Sequence, residues 1–563
     1  MSILAIPVSI FLVLLLQIAG AQNAQQTTGS TIEGLVVRAG TNEPIERARI
    51  TIQRIAGPGA VPPQSAISIP PVNTDGRGKF VIKELEAGSY RLTAARNGFA
   101  RQEYGERAPG RSGIPLNLVV GQNLKDITFR LVPAGAVVGR VSDSSGEPLA
   151  GMTVQLLRST YDPQGGRTFQ PVTSGRTNDR GEYRLYWVTP GRYFLNASPA
   201  RSPLDFGPFG NSNEVTDQSY VVTYFPGTID MSKAASLDVP AGAEVGPIDF
   251  RMDQQQLFRI RGRVVDTRTG QPPRNANVSA TPRNPTSGFF ISAAGSNYNP
   301  ANGTFELRDI APGEYLVRAF AIDSGVPGDA LRNVAQTPVD VSSSDVENVA
   351  LLFGQGISIP VRVSLDGGGS ISSLPNFDRI RVFLSNSATN VFITPPLVKS
   401  DGTALIENVP PGEYRVSLPG IPPTVFLKSA VLGQTDALQA GLSISGPVSG
   451  PLDIVISQNA GEIAGTVVDK DGKPVSGIQA VLIPDRSRDR RDLYKVANSD
   501  QNGHFNLRGV APGDYKIFPW EDIEPFAYSD PDFLRRYEQM GIPIKISESA
   551  KLTVEAKMIA AGQ

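Results

Sequence analysis

The stretch DRGEYRLYWVTPGRYFLN, residues 179–196, decides the fold, because the chain repeats its pattern five times. In each repeat a glycine closes a polar turn, a second glycine follows ten positions later, and a tyrosine stands two positions beyond it. The first glycines are Gly78, Gly181, Gly303, Gly402 and Gly503, and the tyrosines are Tyr90, Tyr193, Tyr315, Tyr414 and Tyr515. A tandem array of one small domain therefore accounts for most of the chain.

Apolar residues alternate around these markers, as Phe505, Leu507, Tyr515 and Ile517 do in the last repeat. A spacing of two places side chains on one face of a strand. Pro512-Gly513 between the two strands fits a type II turn, in which glycine adopts a positive φ. The pattern predicts a β-hairpin with one apolar and one polar face. We expect all five tyrosines to lie in the core.

Each repeat also has strands before and after the marked stretch, so that one unit has roughly the size of a 100-residue β-sandwich. Four first strands contain a glycine, namely Gly34, Gly139, Gly262 and Gly465, and in the fourth copy Pro360 takes that place. The predicted fold is all-β, with about five transthyretin-like or Ig-like sandwiches in tandem. The predicted domains are residues 32–133, 134–253 with the inserted loop Ser198–Ser219, 257–354, 355–457 (degenerate), and 459–560 with a helical insertion.

One short C-terminal helix is expected in that insertion. Asp530 suits the N-cap, Pro531 suits the first helical position, and Gly541 suits the end. Phe533, Leu534 and Tyr537 would share the face that closes one end of the last sandwich.

The N-terminus predicts export. Ile3–Ile18 is apolar and Ala19-Gly20-Ala21 has the small residues of a signal-peptidase site, so residues 1–21 are expected to be a signal peptide. The alternative is a membrane anchor, for which the run is short. Periplasmic, cell-surface and secreted locations all remain open, and membrane contact is expected only through the signal peptide.

Composition excludes several function classes. The 563 residues include no cysteine, which excludes disulfides, thiol catalysis and cysteine-based metal sites. The net charge is −1 and no basic run is long enough to follow a phosphate backbone, so nucleic acid is not an expected partner. Neither a cofactor nor a metal ion is expected.

No catalytic residue is expected either. His504 is the only histidine, and the equivalent positions hold Lys79, Glu182, Thr304 and Thr403, which indicates an exposed place beside a turn. A catalytic histidine would need a nucleophile and an orienting acid. The acidic turns Asp469-Lys470-Asp471-Gly472 and Asp500-Gln501-Asn502-Gly503 have the residues of calcium loops, but aspartate and asparagine before glycine are also ordinary turn formers.

Aromatic residues outside the repeated pattern are the candidate ligand-binding residues. They are Tyr186, Trp187, Tyr220, Tyr224 and Trp520. Exposed rings stack on sugars or anchor protein interfaces. The alternative is packing under a long loop. Glu521, Asp522 and Glu524, which follow Trp520, are expected to form a solvated edge.

The repeat resembles the carboxypeptidase regulatory-like domain, a transthyretin-like (prealbumin-like) β-sandwich related to starch-binding and collagen-adhesin B-type modules. The residues that carry the resemblance are the Asp-x-x-Gly-x-Phe turn from Asp500 to Phe505 and the Pro-Gly-x-Tyr motif from Pro512 to Tyr515. Large exported tandem-repeat proteins of Acidobacteria are similar. The resemblance implies a fold and no activity, because in metallocarboxypeptidases this module accompanies a separate zinc domain.

Two functions follow as hypotheses. The first is a non-catalytic exported binding protein whose ligand is a polysaccharide. The second is a structural or adhesive cell-surface spacer whose partner is a cell-envelope protein, since tandem repetition sets reach and avidity.

Overall fold

The computed structural model describes residues 29–55, 69–111, 113–199, 218–267, 269–283, 298–321, 333–353, 357–386, 393 and 395–561. The predicted signal peptide lies outside these residues, as does most of the inserted loop Ser198–Ser219. No helix in the described part of the chain is long and apolar enough to span a membrane.

Copies 1 and 2 of the repeat contain the first nineteen strands. Copy 1 has β1 Ser30–Arg38, β2 Arg49–Ile55, β3 Val72–Asn73, β4 Lys79–Leu85, β5 Gly88–Ala95, β6 Gln102–Glu103, β7 Leu116–Leu118 and β8 Asn123–Leu131. Copy 2 has β9 Gly135–Ser142, β10 Thr153–Tyr161, β11 Arg167–Arg176, β12 Glu182–Val188, β13 Gly191–Ser198, β14 Gln218–Tyr220, β15 Thr223–Tyr224, β16 Leu237–Val239, β17 Glu244–Val245, β18 Phe250–Arg251 and β19 Gln254–Gln256.

Copies 3 to 5 contain the remaining strands of the described chain. Copy 3 has β20 Phe258–Asp266, β21 Ala276–Pro282, β22 Thr304–Ile310, β23 Gly313–Ala321, β24 Asn333–Val341 and β25 Val346–Phe353. Copy 4 has β26 Ile357–Leu365, β27 Phe383–Ser385, β28 Thr403–Val409, β29 Gly412–Ser417, β30 Phe426–Leu432, β31 Thr435–Asp436, β32 Leu442–Ile444 and β33 Leu452–Ser457. Copy 5 has β34 Gly461–Val468, β35 Gln479–Pro484, β36 Lys495–Asn498, β37 His504–Val510, β38 Gly513–Trp520, β39 Ile542–Ile546 and β40 Lys551–Lys557.

The copies share a two-sheet plan, which copy 4 extends with β30 and β31 at the edge of its first sheet. In copy 1 the first strand β1 pairs antiparallel with β4 and parallel with the last strand β8, while β2 pairs with β5 in the second sheet. Copy 5 repeats this with the sheets β37-β34-β40 and β36-β35-β38-β39. Five buried apolar clusters fill the sandwiches, and each cluster lies within a single copy. The prediction of an all-β chain of tandem sandwiches is therefore confirmed.

The hairpin prediction was wrong. The two strands that flank each Pro-Gly segment belong to opposite sheets, as β37 and β38 do in copy 5. The second glycines, such as Gly513, have φ between 157° and 159°, which is nearly extended and unlike the left-handed glycine of a type II turn. The connection is a corner that carries the chain from one sheet to the other. Both strands face the same core, so their alternation looks like that of a hairpin.

The repeated tyrosine holds this corner together. In every copy its hydroxyl donates to the carbonyl oxygen four residues earlier, and in copy 5 the distance from Tyr515 Oη to Ala511 O is 2.9 Å. Tyr90, Tyr193, Tyr414 and Tyr515 are buried and Tyr315 is half-buried. A tyrosine that bonds back to the backbone is a known device for fixing the corner of a β-sandwich. The predicted core position is confirmed fully for four copies and partly for copy 3.

The first glycine of each repeat has a backbone conformation that requires glycine. Gly503 has φ of 81° and its four equivalents have φ between 72° and 81°. The glycine carbonyl accepts a hydrogen bond from a valine of the first strand in every copy, at 2.8 Å from Val467 in copy 5. A positive φ is unfavourable for residues with a Cβ atom. This turn therefore attaches the strand that follows it to the first strand of the copy.

The strand glycine and the next aromatic residue form one packing unit. Gly465 pairs with Phe505, and a Cβ atom on Gly465 would lie 2.6 Å from a ring carbon of Phe505. Gly34, Gly139 and Gly262 pair in the same way with Phe80, Tyr183 and Phe305. In copy 4 the register pairs Val361 with Ala404, so Val361, and not Pro360, takes the glycine's place. In copy 4 the strand residue is thus larger than glycine, and its partner Ala404 is smaller than the aromatic residue of the other copies.

The sequence predicted the position of the C-terminal helix correctly, but the predicted helix, which ended at Gly541, is longer than the observed one. The α-helix α1 spans Pro531–Arg535, and a 3₁₀ turn follows at Glu538–Met540. Asp530 caps α1 by accepting a hydrogen bond from the amide of Asp532 at 2.9 Å. Leu534 is buried against the outer face of the sheet that contains β35 and β38.

Candidate functional site

Tyr186 and Trp187 form an exposed aromatic pair at the end of β12, just before the corner of copy 2. Their exposed fractions are 57% and 56%, and their ring centroids lie 5.0 Å apart at an interplanar angle of 87°. The two rings therefore form an L-shaped wall. A ligand ring that stacks on one face would meet the second ring at its edge.

Trp187 occupies a strained backbone position. Its φ is 58°, and the equivalent Glu84, Asp309 and Gly509 have φ of 60°, 59° and 65°. The register of the β12–β9 pair shifts between Leu185 and Val188, so the position lies in a β-bulge. The left-handed conformation costs a residue with a Cβ atom about 1–2 kcal/mol. A bulky residue in such a place is a reason to look for function.

The other copies fill these two positions with polar residues or glycine. They hold Lys83-Glu84, Arg308-Asp309, Glu407-Asn408 and Arg508-Gly509. Neither Tyr186 nor Trp187 belongs to a buried core cluster of copy 2. The fold therefore does not require aromatic residues here. We define Tyr186 and Trp187 as the aromatic wall.

Charged side chains lie on the same outward side of β12. Arg184 precedes Tyr186 by two positions and shares its face. Its guanidinium forms an ion pair of 2.9 Å with Glu244 on the neighbouring part of the sheet, and both side chains are exposed. The aromatic wall is thus next to groups that can donate hydrogen bonds to, and accept them from, a polar ligand.

The remaining aromatic candidates are covered, which is the alternative that the sequence analysis left open for them. Tyr224 has an exposed fraction of 6% and packs with Leu157 and Met231 on the outer face of β10 and β13. Tyr220 is half-buried against the core of copy 2. Trp520 has an exposed fraction of 2%, and its ring stacks on Phe518 at 5.1 Å.

The physical reason is that both faces of these sheets are apolar. In β35 the residues from Ala480 to Pro484 are buried without interruption, which is typical of a strand covered on both sides. The segment after β38 supplies the cover, and Tyr537 meets Trp520 edge to face at 5.7 Å. The continuous apolar run 480–484 was a signal of this burial that alternation alone could not provide.

The histidine lies exposed beside a turn, and the acidic turn residues bond to the backbone of their own turns. His504 is exposed, and its Nδ1 lies 3.0 Å from the hydroxyl of Thr466. One oxygen of Asp469 accepts hydrogen bonds from the amides of Asp471 and Lys473 at 2.8 and 2.9 Å. These hydrogen bonds lower the pKa of Asp469, and the one from the Lys473 amide has the largest effect. Among the described residues no group of three or more acidic or histidine side chains is placed to hold a metal ion.

A match to a known family lies in copy 1. Residues 31–132 match the carboxypeptidase regulatory-like domain. This matched segment contains the glycine turn, the corner and the tyrosine that the other four copies share.

One curated relative is similar to the chain over a short stretch. Serine-aspartate repeat-containing protein D of Staphylococcus aureus strain Newman is 24% identical over 152 residues, which are 24% of this chain and 11% of the relative. The same protein of strain MW2 matches equally. The match thus spans 11% of the length of these curated relatives.

Solved structures with some likeness include pilins. The minor pilin GBS52 of Streptococcus agalactiae is 9% identical with a TM-score of 0.23, and the match covers 40% of this chain and 96% of the pilin. The Bacillus anthracis TIE protein is 10% identical with a TM-score of 0.15, covering 75% and 73%. The shaft pilin SpaA of Lactobacillus rhamnosus GG is 10% identical with a TM-score of 0.18, covering 40% and 96%.

Proposed function

We propose that this protein is a non-catalytic, exported binding protein and that the aromatic wall of copy 2 binds a polysaccharide. The exposed, strained Tyr186–Trp187 pair carries the proposal. A tryptophan in a left-handed conformation lowers stability, and Trp187 contributes to neither buried cluster of copy 2 in return. Such a residue is understandable if the ring has a ligand.

A sugar ring fits the chemistry of this surface. Its apolar face stacks on aromatic rings, and its hydroxyls form hydrogen bonds with charged neighbours. Arg184 and Glu244 lie on the same sheet and are exposed enough to take part. The other four copies would then serve as scaffold. The expected signal peptide supports export.

The repeat supplies a matched control variant. Copy 3 has Arg308-Asp309 at the two positions, so Tyr186→Arg with Trp187→Asp gives copy 2 a pair that the same bulge already accommodates. We expect this double variant to be at least as stable as the parent, because aspartate tolerates the left-handed conformation better than tryptophan. We expect it to lose polysaccharide binding.

Co-sedimentation of the full chain with cellulose, chitin and starch granules measures that binding. The proposal expects at least one polysaccharide to retain the parent chain and to retain the double variant at least tenfold less. Retention of both proteins to the same extent would refute the role of the wall. Failure of the parent chain to bind any of a wide range of polysaccharides would refute carbohydrate as the ligand.

The alternative function is a structural or adhesive cell-surface protein that uses the same wall to bind a cell-envelope protein. Large aromatic residues are frequent anchors at protein interfaces. Affinity capture from an envelope fraction distinguishes the two functions, with the parent chain and the double variant as paired baits. A protein retained only by the parent would favour this alternative.

A further inference from the structure

The acidic residues after Trp520 are not the solvated edge that their sequence predicted. Glu521 forms an ion pair of 2.9 Å with Arg107, and Asp522 forms one of 2.8 Å with Arg111. Both arginines belong to copy 1, so residues 414 positions apart in the chain are in contact. Glu524 lies 3.8 Å from Arg111 and adds to the same group.

The arginines are held in place by their own domain. They lie between β6 and β7, where the Glu106 carboxylate accepts hydrogen bonds from the amides of Glu103 and Gly110 at 2.7 and 2.5 Å. Arg107 also donates to the carbonyl oxygen of Ser476 in copy 5 at 2.6 Å. A prearranged loop loses little entropy when it binds, which makes these contacts more effective than those of free surface side chains.

An apolar contact lies beside the ion pairs. Ile114 of copy 1 is buried, and a Cβ atom on Gly477 of copy 5 would lie 2.9 Å from it. The interface between copies 1 and 5 therefore combines charge complementarity with close packing, as specific protein interfaces do.

Copy 2 reaches the same part of copy 5. Its β10–β11 turn brings the ring of Tyr161 to within 6.4 Å of the Phe533 ring, edge to face. Arg491 of copy 5 donates to the carbonyl oxygens of Gln164 and Ser529, both at 3.0 Å, and so joins the two copies. Residues 521–541 thus contact copy 1 at one place and copy 2 at another.

We propose that residues 521–541 of copy 5, here named the docking segment, are an intramolecular docking surface for copies 1 and 2, so that the chain closes on itself. Copies 3 and 4 then form a loop between the joined ends. The inner side of the docking segment covers Trp520 and the outer side presents carboxylates to the arginines of copy 1. This surface is independent of the aromatic wall and shares no residue with it.

Cross-linking of introduced cysteines tests the closure in the full chain, which has no cysteine of its own. Arg107→Cys with Glu521→Cys is treated with a short bismaleimide at high dilution. Glu462→Cys with Arg508→Cys replaces an ion pair of 3.1 Å within copy 5 and serves as the matched control. We expect an intramolecular product from the first pair within about twofold of the control yield, since effective concentration is high for groups held together.

Charge reversal shows whether docking causes the proximity. Adding Arg111→Glu to the first pair should lower the yield at least fivefold by placing like charges opposite Asp522, and adding Asp522→Arg as well should restore it. In a Trp187→Phe background, unchanged emission of Trp520 would show that copy 5 of each variant is folded. Absence of an intramolecular product where the control reacts, products only between chains, or a yield indifferent to the reversal would each overturn the proposal.

Discussion

Replacing Gly465 by valine and Phe505 by alanine, singly and together, tests whether the strand glycine and the ring above it are one packing unit. Copy 4 already contains the exchanged pair, with Val361 facing Ala404. Copy 5 is the suitable host because a Cβ atom on Gly465 would lie 2.8 Å from the carbonyl oxygen of Val554, the loosest backbone contact among the four strand glycines.

The expected energies follow from the packing. Phe505→Ala empties a buried site and should destabilise copy 5 by about 3–5 kcal/mol. Gly465→Val inserts a side chain into the ring of Phe505 and should cost about 1–3 kcal/mol. In the double variant the valine occupies space that the ring has left. The two effects therefore offset each other, and we expect a coupling free energy of about 2 kcal/mol in favour of the pair.

Urea unfolding of the full chain, followed by the emission of Trp520, measures these values. Trp187 is the only other tryptophan, so a Trp187→Phe background leaves a reporter for copy 5 alone. The reasoning would be refuted if the destabilisation of the double variant equalled the sum of the two single destabilisations to within about 0.5 kcal/mol. That result would mean that the valine side chain does not occupy the space left by the Phe505 ring. The Val361–Ala404 pair of copy 4 would then not reflect compensation in packing.

Three further predictions concern copy 5. Tyr515→Phe removes the hydrogen bond to the Ala511 carbonyl and should cost about 1–3 kcal/mol in the same urea titration. Hydrogen bonds from Arg488, and next from Lys516, lower the pKa of Glu538 to about 2. The resulting stability is present above the ordinary value of 4.5 and is lost as the pH falls towards 2, so Glu538→Gln should flatten that acid dependence of the urea midpoint. His504→Ala should change stability by less than about 0.5 kcal/mol, because the side chain is exposed, and a larger loss would contradict its assignment to a solvent-facing position.

The repeat pattern predicted the fold because each marker has a local physical cause. Gly503 needs a left-handed φ, and Tyr515 needs both a buried face and a nearby carbonyl. The pairing of the strands was missed because a period of two reports which face is buried and does not report which strand lies alongside. β37 and β38 bury the same core from opposite sheets, and alternation is identical in the two cases.

The exposure of the candidate aromatic residues could be predicted from the sequence only in part, and their role as a ligand site stays a prediction. Tyr186 and Trp187 are exposed as expected, whereas Trp520 is covered by a segment that comes later in the chain and Tyr224 packs with Leu157 and Met231. Whether a ring is covered depends on tertiary packing, which no local pattern contains. The partners of Glu521 and Asp522 were also beyond reach, because Arg107 and Arg111 are hundreds of positions away.

Comparison among the five copies separates what the fold requires from what it only tolerates. Positions that keep one residue type in every copy, such as Gly503 and Tyr515, have a backbone or packing reason that the structure shows. The bulge position holds Glu84, Asp309 and Gly509 in three other copies, so the fold places no demand for a ring there. Trp187 is a bulky residue in a left-handed conformation, which lowers the stability of copy 2. The proposed ligand of the aromatic wall would account for the bulky residue at this position, because Tyr186 and Trp187 are exposed where a ligand can reach them.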